Sequence, residues 1–230
     1  MEVSIREAAR RLQLSPRRLR ALALAGRIPA RRIDERQWVV DVDVAQLAAY
    51  ARHAPGRPLS ARSCWALLAV ADGHEPAAGL SASERARARE RARALADVPV
   101  GWLSGRASIH RFAAHRGVLD HLAEDERLVL GGGSAAQHHG ADLIALERVE
   151  AYVREADLEP LVAGYALRPA LAGAANVLLR VPGRAWPFGS ASRIAPAPTV
   201  GVDLVDAADE RSVRAGRALL RRLTLEAAER

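Results

Sequence analysis

The chain has 230 residues, 50% of them apolar and 4% aromatic, an ordinary globular composition with room for one large domain or two small ones. All 34 basic residues are arginine, and the absence of lysine excludes a Walker A loop, a pyridoxal Schiff base and a kinase strand lysine, each of which needs a primary amine. The formal charge of +7 is concentrated at the N-terminus, where residues 1–53 hold eleven arginines against six acids while residues 128–230 balance at twelve each.

In chain order, Met1 to Glu7 lacks the apolar core of a secretory leader. Ser4-Ile5-Arg6-Glu7 fits a capping box, and Ile5, Ala8, Ala9 and Leu12 follow it on one helical face. Ser15-Pro16 starts a second helix, with serine as the cap and proline at the first helical position, and Gly26 suits its left-handed end. At about 100° per residue the core face of this helix is Leu19, Leu22 and Ala23. Arg17 then points nearly opposite, with Arg18 and Arg20 flanking it.

Arg27 to Ile33 and Gln37 to Val40 read as two short strands around Asp34-Glu35-Arg36, a wing that carries Arg31 and Arg32, with Trp38 and Val40 packing back. Asp43-Val44-Ala45-Gln46 signals a further helix, closed by Val44, Leu47 and Ala48. Residues 1–53 are therefore expected to form a winged helix-turn-helix that binds DNA. Arg17, Arg18 and Arg20 would enter the major groove, Arg31, Arg32 and Arg36 would hold phosphates, and Ser15 and Arg27 complete the candidate interface. The alternative for the same residues is a small three-helix unit whose arginine face is solvated or contacts protein.

The phrases Ser4-Ile5-Arg6-Glu7-Ala8-Ala9-Arg10-Arg11-Leu12, Leu14-Ser15-Pro16-Arg17-Arg18-Leu19-Arg20, Gly26-Arg27-Ile28-Pro29-Ala30-Arg31-Arg32 and the closing Trp38 resemble the winged helix-turn-helix of excisionases and MerR-type regulators. The resemblance covers about the first 53 residues and implies DNA recognition by the second helix.

Residues 54–126 read as a linker and helical connector. His53-Ala54-Pro55-Gly56-Arg57-Pro58 is linker by composition, and Ser60 caps a helix through Trp65, Leu67, Leu68 and Ala71. Within it, Cys64 to Ala71 is the longest clean apolar run, too short to span a bilayer. As the single cysteine, Cys64 also precludes an intrachain disulfide, so a cytoplasmic protein is expected. Asp72 to Leu80 is turn-rich, and Ser81 or Ser83 opens an Arg-Ala helix, Glu84 to Leu95, with almost no apolar stripe. This helix reads as a solvated spacer, with a second nucleic-acid contact as the alternative. Trp102 to His115 and Val118 to Ala123 read as two more helices. The spacing of His110, His115 and His121 puts no two on one helical face, so no metal is expected.

Residues 127–230 read as a mixed α/β body, giving the whole chain an α/β fold class. The expected strands are Arg127 to Leu130, Val149 to Val153, Asn176 to Val181 and Thr199 to Leu204. A short helix ends by Gly140, another carries Leu158, Leu161, Val162 and Tyr165, and a long loop spans Pro182 to Pro198. The last helix, Ala208 to Leu225, turns Val213, Leu219, Leu220 and Leu223 inward and Arg211, Arg214, Arg217 and Arg221 to water.

Three catalytic patterns begin at Gly131 to Ser134, and each lacks a part. Gly131-x-Gly133-x-x-Ala136 with Glu150 suits a dinucleotide fingerprint, but the helix is too short for a parallel crossover. A nucleotidyltransferase pattern has Asp142 but Ile144 in place of its second acid, and a Ser134 nucleophile lacks the last glycine of its elbow. The remaining reading is a glycine-rich turn that packs tightly, with no catalytic residue, cofactor or metal.

Leu128-Val129-Leu130-Gly131-Gly132-Gly133-Ser134-Ala135-Ala136-Gln137-His138-His139-Gly140 resembles the strand, Ser-Ala and His-Gly segment of AbiEi-type antitoxins. Val149 to Val153, and Val202-Asp203-Leu204 leading into Asp209-Glu210-Arg211, continue the similarity. It implies a non-enzymatic repressor of its own operon, half of a toxin–antitoxin system. The DNA-binding head would act as a homodimer on double-stranded promoter DNA, and the body would oppose a nucleotidyltransferase-fold toxin. An enzyme using a nucleotide or dinucleotide at the Gly131 to Ser134 turn, and a regulator with a small-molecule sensor in the body, are the alternatives.

Overall fold

The structure, a computed structural model, describes residues 2–11, 15–24, 30–32, 38–41, 58–76, 79–97, 101–143, 147–183, 186–207 and 209–228. It is mixed α/β, as expected, with two separate sheets among the described residues.

The N-terminal sheet has the order β1-β3-β2, all antiparallel: β1 is Glu2–Ser4, β2 is Ala30–Arg32 and β3 is Trp38–Asp41. The β2 and β3 pair matches the expected strands, whereas β1 carries no sequence signal of its own. Its three residues end at the helix cap Ser4, too few for an alternation to register. Helices α1 (Ile5–Arg11) and α2 (Pro16–Leu24) pack against this sheet through a small core of Ile5, Ala8, Ala9, Leu19, Ala23 and Val40. Ser4 Oγ accepts from the Glu7 amide at 3.2 Å, as the cap requires, and the Glu7 carboxylate pairs with Arg10 at 2.8 Å. Leu12, Gly26 and the helix expected at Asp43 lie outside the described residues.

The second sheet has the order β5-β6-β8-β4-β7. Its strands are β4 (Ser108–Ala113), β5 (Val129–Leu130), β6 (Val149–Tyr152), β7 (Arg168–Pro169) and β8 (Val177–Val181). β6 and β8 run parallel, the other strand pairs are antiparallel, and Leu130 of β5 also makes an isolated parallel bridge to Ile194. The face built from Val149, Ala151, Val177 and Leu179 is covered by helices α5 (Leu119–Glu124) and α7 (Glu155–Gly164), which bring in Leu119, Leu122 and Leu161. The opposite face, around Tyr152, lies under α8 (Ala197–Val205) and α9 (Glu210–Ala228) through Val200, Leu204 and Leu219. Helices thus cover both faces, and β6 is buried throughout rather than half-buried as its alternation suggests.

Two elements differ from the expected ones. Residues 108–113 form strand β4, inside the sheet between β8 and β7, in place of the expected helix. Trp102, Ile109, Phe112 and Ala113 fall on one side of an ideal helix and mimic an apolar stripe, but a 3-10 turn at Ser104–Arg106 precedes the strand and only Phe112 of it is buried. Residues 199–204 belong to helix α8, in place of the expected strand. An apolar run buried on every side has no diagnostic period, so its neighbours decide its conformation. Pro196 occupies the N-cap position without a side-chain cap, Pro198 fits the first turn, and Gly201 faces Gly216 of α9 closely enough that the two backbones meet.

The segment 54–126, expected as linker and connector, contributes to the body's core. Helix α3 (Ala61–Ala71), capped by Ser60 as expected, places Cys64, Leu67 and Leu68 against Val202, Val205 and Leu220. Helix α4 (Ala82–Arg93) starts at Ser81 with a complete capping box and packs on α3 through Ala88 against Ala66 and Leu80.

Candidate nucleic-acid interface

Helix α2 begins where Leu19 N donates to the Ser15 carbonyl at 3.0 Å. Its buried side is fixed by Leu19 and Ala23. Arg17 and Arg20 stand exposed on its first turns, and Ser15 is exposed just before them. Arg18 belongs to the same helix. Arg31 and Arg32 lie on β2, opposite Val39 and Trp38 of β3. Arg27 and Arg36 lie outside the described residues. One small core therefore supports a helix with guanidinium groups at its start beside a strand pair that carries two more arginines.

Helix α4 spends much of its charge internally. Arg85 donates to the Leu80 carbonyl, Arg89 binds the Glu75 carboxylate at 3.0 and 3.1 Å, and Arg91 lies 5.1 Å over the Trp102 ring. These contacts account for a polar helix that holds its place without an apolar stripe.

The glycine-rich turn is built around buried charge. Gly131 follows β5 at the N-cap position, and Gly132 (φ 47°) opens the short helix α6 (Gly132–Ala135). A Cβ on Gly132 would lie 2.1 Å from Glu150 Oε2, so both the left-handed backbone and the close approach require glycine. The Gly132 amide donates to Asp203 Oδ2 at 3.1 Å. Asp203 Oδ1 accepts from Tyr152 Oη at 2.7 Å and from Arg106 Nη2 at 2.7 Å, with Arg180 Nε 3.3 Å away. Arg106 Nη1 also reaches Asp206 at 2.6 Å, and Arg180 Nη2 reaches Glu150 at 3.0 Å.

Burial alone would pull the Arg106 guanidinium down, but Tyr152, Asp206 and Asp203 hold it charged, well above its ordinary value. Arg180 behaves alike, held up by Asp203 and Glu150 against its burial. Tyr152 is pushed well up by burial and by the Asp203 charge, so its hydroxyl stays a donor. Three carboxylates thus offset two guanidiniums around the turn, and their hydrogen bonds fix its backbone.

Each catalytic pattern at this turn meets a structural answer. β5 and β6 are antiparallel, so Gly131 to Ala136 is not the loop of a parallel crossover, and Glu150 is engaged by Arg180. Ser134 Oγ donates to the Arg148 carbonyl at 3.3 Å and accepts from the Glu150 amide at 2.9 Å. His139 Nε2 is 2.8 Å from the Ala195 carbonyl, and Asp142 is exposed. Against known proteins, the chain matches no family model, no curated protein and no solved structure. Among the described residues, no group of three or more His, Cys, Asp or Glu side chains is placed to hold a metal ion, and no helix is long and apolar enough to cross a membrane.

Glu150 stands out in the sequence, but Arg180, which binds it, and the Asp203–Arg106 pair of the same network do not. The available signals are Asp203 inside the apolar run Val200 to Val205 and Arg180 inside the apolar strand β8. A charge in such a run must find an opposite charge once buried.

Proposed function

We propose that the chain is a DNA-binding transcriptional repressor of antitoxin type, acting in the cytoplasm on its own promoter, with residues 1–53 as a winged helix-turn-helix. The observation that carries this reading is the exposure of Arg17 and Arg20 on the first turns of a helix whose other side is anchored by Leu19 and Ala23. That is where a recognition helix meets base edges and phosphates. Arg31 and Arg32 on β2 supply the wing, and the N-terminal excess of positive charge favours phosphate contact. Paired half-sites call for a homodimer. The body, neutral over residues 128–230 and free of a catalytic set among the described residues, serves as the partner-binding part that opposes a nucleotidyltransferase-fold toxin.

The test is fluorescence anisotropy of the full-length protein on duplex DNA from immediately upstream of its coding region, across a salt series and against a scrambled duplex. Selective binding that R17A/R20A abolishes supports the reading. Equal binding to both duplexes, or binding indifferent to those two arginines, overturns it.

A further inference from the structure

A second arginine cluster lies on α9. Arg211, Arg214 and Arg222 line a groove of about 550 Å3 between this helix and the Gly140–Asp142 loop, with Ala215 and Ala218 in its wall. Their spacing of three and eleven residues keeps them on one stripe of the helix. Arg211 and Arg214 are exposed and have no hydrogen bond or ion pair among the described residues.

Arg222 is held differently. It donates to the His139 carbonyl, and its Nε lies 3.6 Å from Glu226. The backbone bends beside it at Gly140 (φ 65°), where a Cβ would lie 3.1 Å from Arg222 Nη1. The loop therefore leaves space for one fixed guanidinium next to two free ones. Asp142 is the single carboxylate among the described residues of the groove.

Like charges one helical turn apart repel, so the stripe gains when an anion bridges it. Guanidinium forks match phosphate oxygens in pairs, and the groove falls in the volume range of small-molecule sites. A bare polyphosphate would meet repulsion from Asp142, whereas a nucleoside offers hydroxyl and amino donors to that carboxylate and a flat ring to the alanine-lined wall. We infer that this groove binds a nucleotide, with its phosphates on Arg211, Arg214 and Arg222 and its sugar or base donors on Asp142. The inference is independent of the DNA-binding reading of the head.

Isothermal titration of the full-length protein with ATP and, separately, with inorganic pyrophosphate tests it. The comparison variants are R211A/R214A and R87A/R93A, the second removing equal charge from exposed positions of α4. Saturable ATP binding is expected, tighter than pyrophosphate, weakened about tenfold or more in R211A/R214A and changed less than about twofold in R87A/R93A. Absence of saturable ATP binding, or an equal weakening in both variants, overturns the site. Equal affinity for ATP and pyrophosphate overturns the nucleoside part. A scrambled duplex that binds R211A/R214A more weakly than the unaltered chain, while ATP fails to bind, would reassign the groove to nucleic-acid backbone.

Discussion

Removing the Asp203 carboxylate is the sharpest test of how the body is held together. In Asp203→Ala, Tyr152 Oη is deprived of its acceptor, the Gly132 amide of its partner, and two buried guanidiniums of a shared counter-charge. Arg106 keeps Asp206 and Arg180 keeps Glu150, so neither cation is left wholly alone. Breaking a buried pair from one side costs about 3–5 kcal/mol, because the remaining charge stays desolvated. For a body of this size that amounts to a fall in Tm of roughly 6–20 °C. Urea unfolding followed by tryptophan emission is a suitable assay, since Trp65, one of four tryptophans, lies edge-on to Tyr152 at 5.8 Å. The control is Glu75→Ala, which removes the exposed pair with Arg89 and should cost under about 1 kcal/mol. If Asp203→Ala is no more destabilising than the control, the network does not hold the turn and the reasoning is wrong.

Particular side chains set four further outcomes. In R17A/R20A, the slope of log affinity against log salt on the promoter duplex should become shallower by roughly 2, about one unit for each phosphate no longer neutralised, and an unchanged slope would place the DNA elsewhere. The Asp125 carboxyl is lowered to about 2 by hydrogen bonds from Arg127, with Tyr165 assisting, so its contribution to stability is present above the ordinary value near 3.8 and disappears as pH falls from there to about 2. Acid titration of Arg127→Ala should lack that step, and retention of it would point to another carboxylate. Burial pushes the Cys64 thiol up to about 12, so iodoacetamide should label native protein only at the rate of unfolding, and rapid labelling at neutral pH would contradict its placement. Gly216→Ala should cost about 1–3 kcal/mol, since its Cβ would sit 2.7 Å from the Gly201 carbonyl and 2.8 Å from Leu204 Cβ, whereas Gly164→Ala, in a helix with nothing within 4 Å, should not destabilise and should gain up to about 1 kcal/mol by urea unfolding.

The parts of the fold legible in the sequence are those dictated by local chemistry. Ser60 and Ser81 cap helices where their hydroxyls can accept from the third amide, and Gly140 ends a short helix because its backbone is left-handed. The β2 and β3 pair and the long α9 are legible for similar reasons, through alternation and an amphipathic stripe. What is not legible depends on distant partners. Val200 to Val205 is equally suited to a buried strand or a buried helix, and the choice rests on Gly201 meeting Gly216 fifteen residues away. Within the candidate interface, exposure of Arg17 and Arg20 follows from the helical period alone.

The buried network explains why the glycine turn resembles a catalytic loop. Gly131 and Gly132 are small because the Asp203 and Glu150 carboxylates come against their backbone, the same close approach that a phosphate would demand in a nucleotide loop. Gly131-Gly132-Gly133 therefore carries the signature of an anion site whose anions are the chain's own side chains. Those carboxylates are in turn neutralised by Arg106 from the 3-10 turn after α3 and α4 and by Arg180 from β8, so the turn joins the sheet, α8 and the segment before β4. A substrate phosphate at that turn would have to displace Asp203 from two buried guanidiniums and a tyrosine. That competition argues for seeking ligands at the exposed arginines of α2 and α9 rather than where glycines cluster.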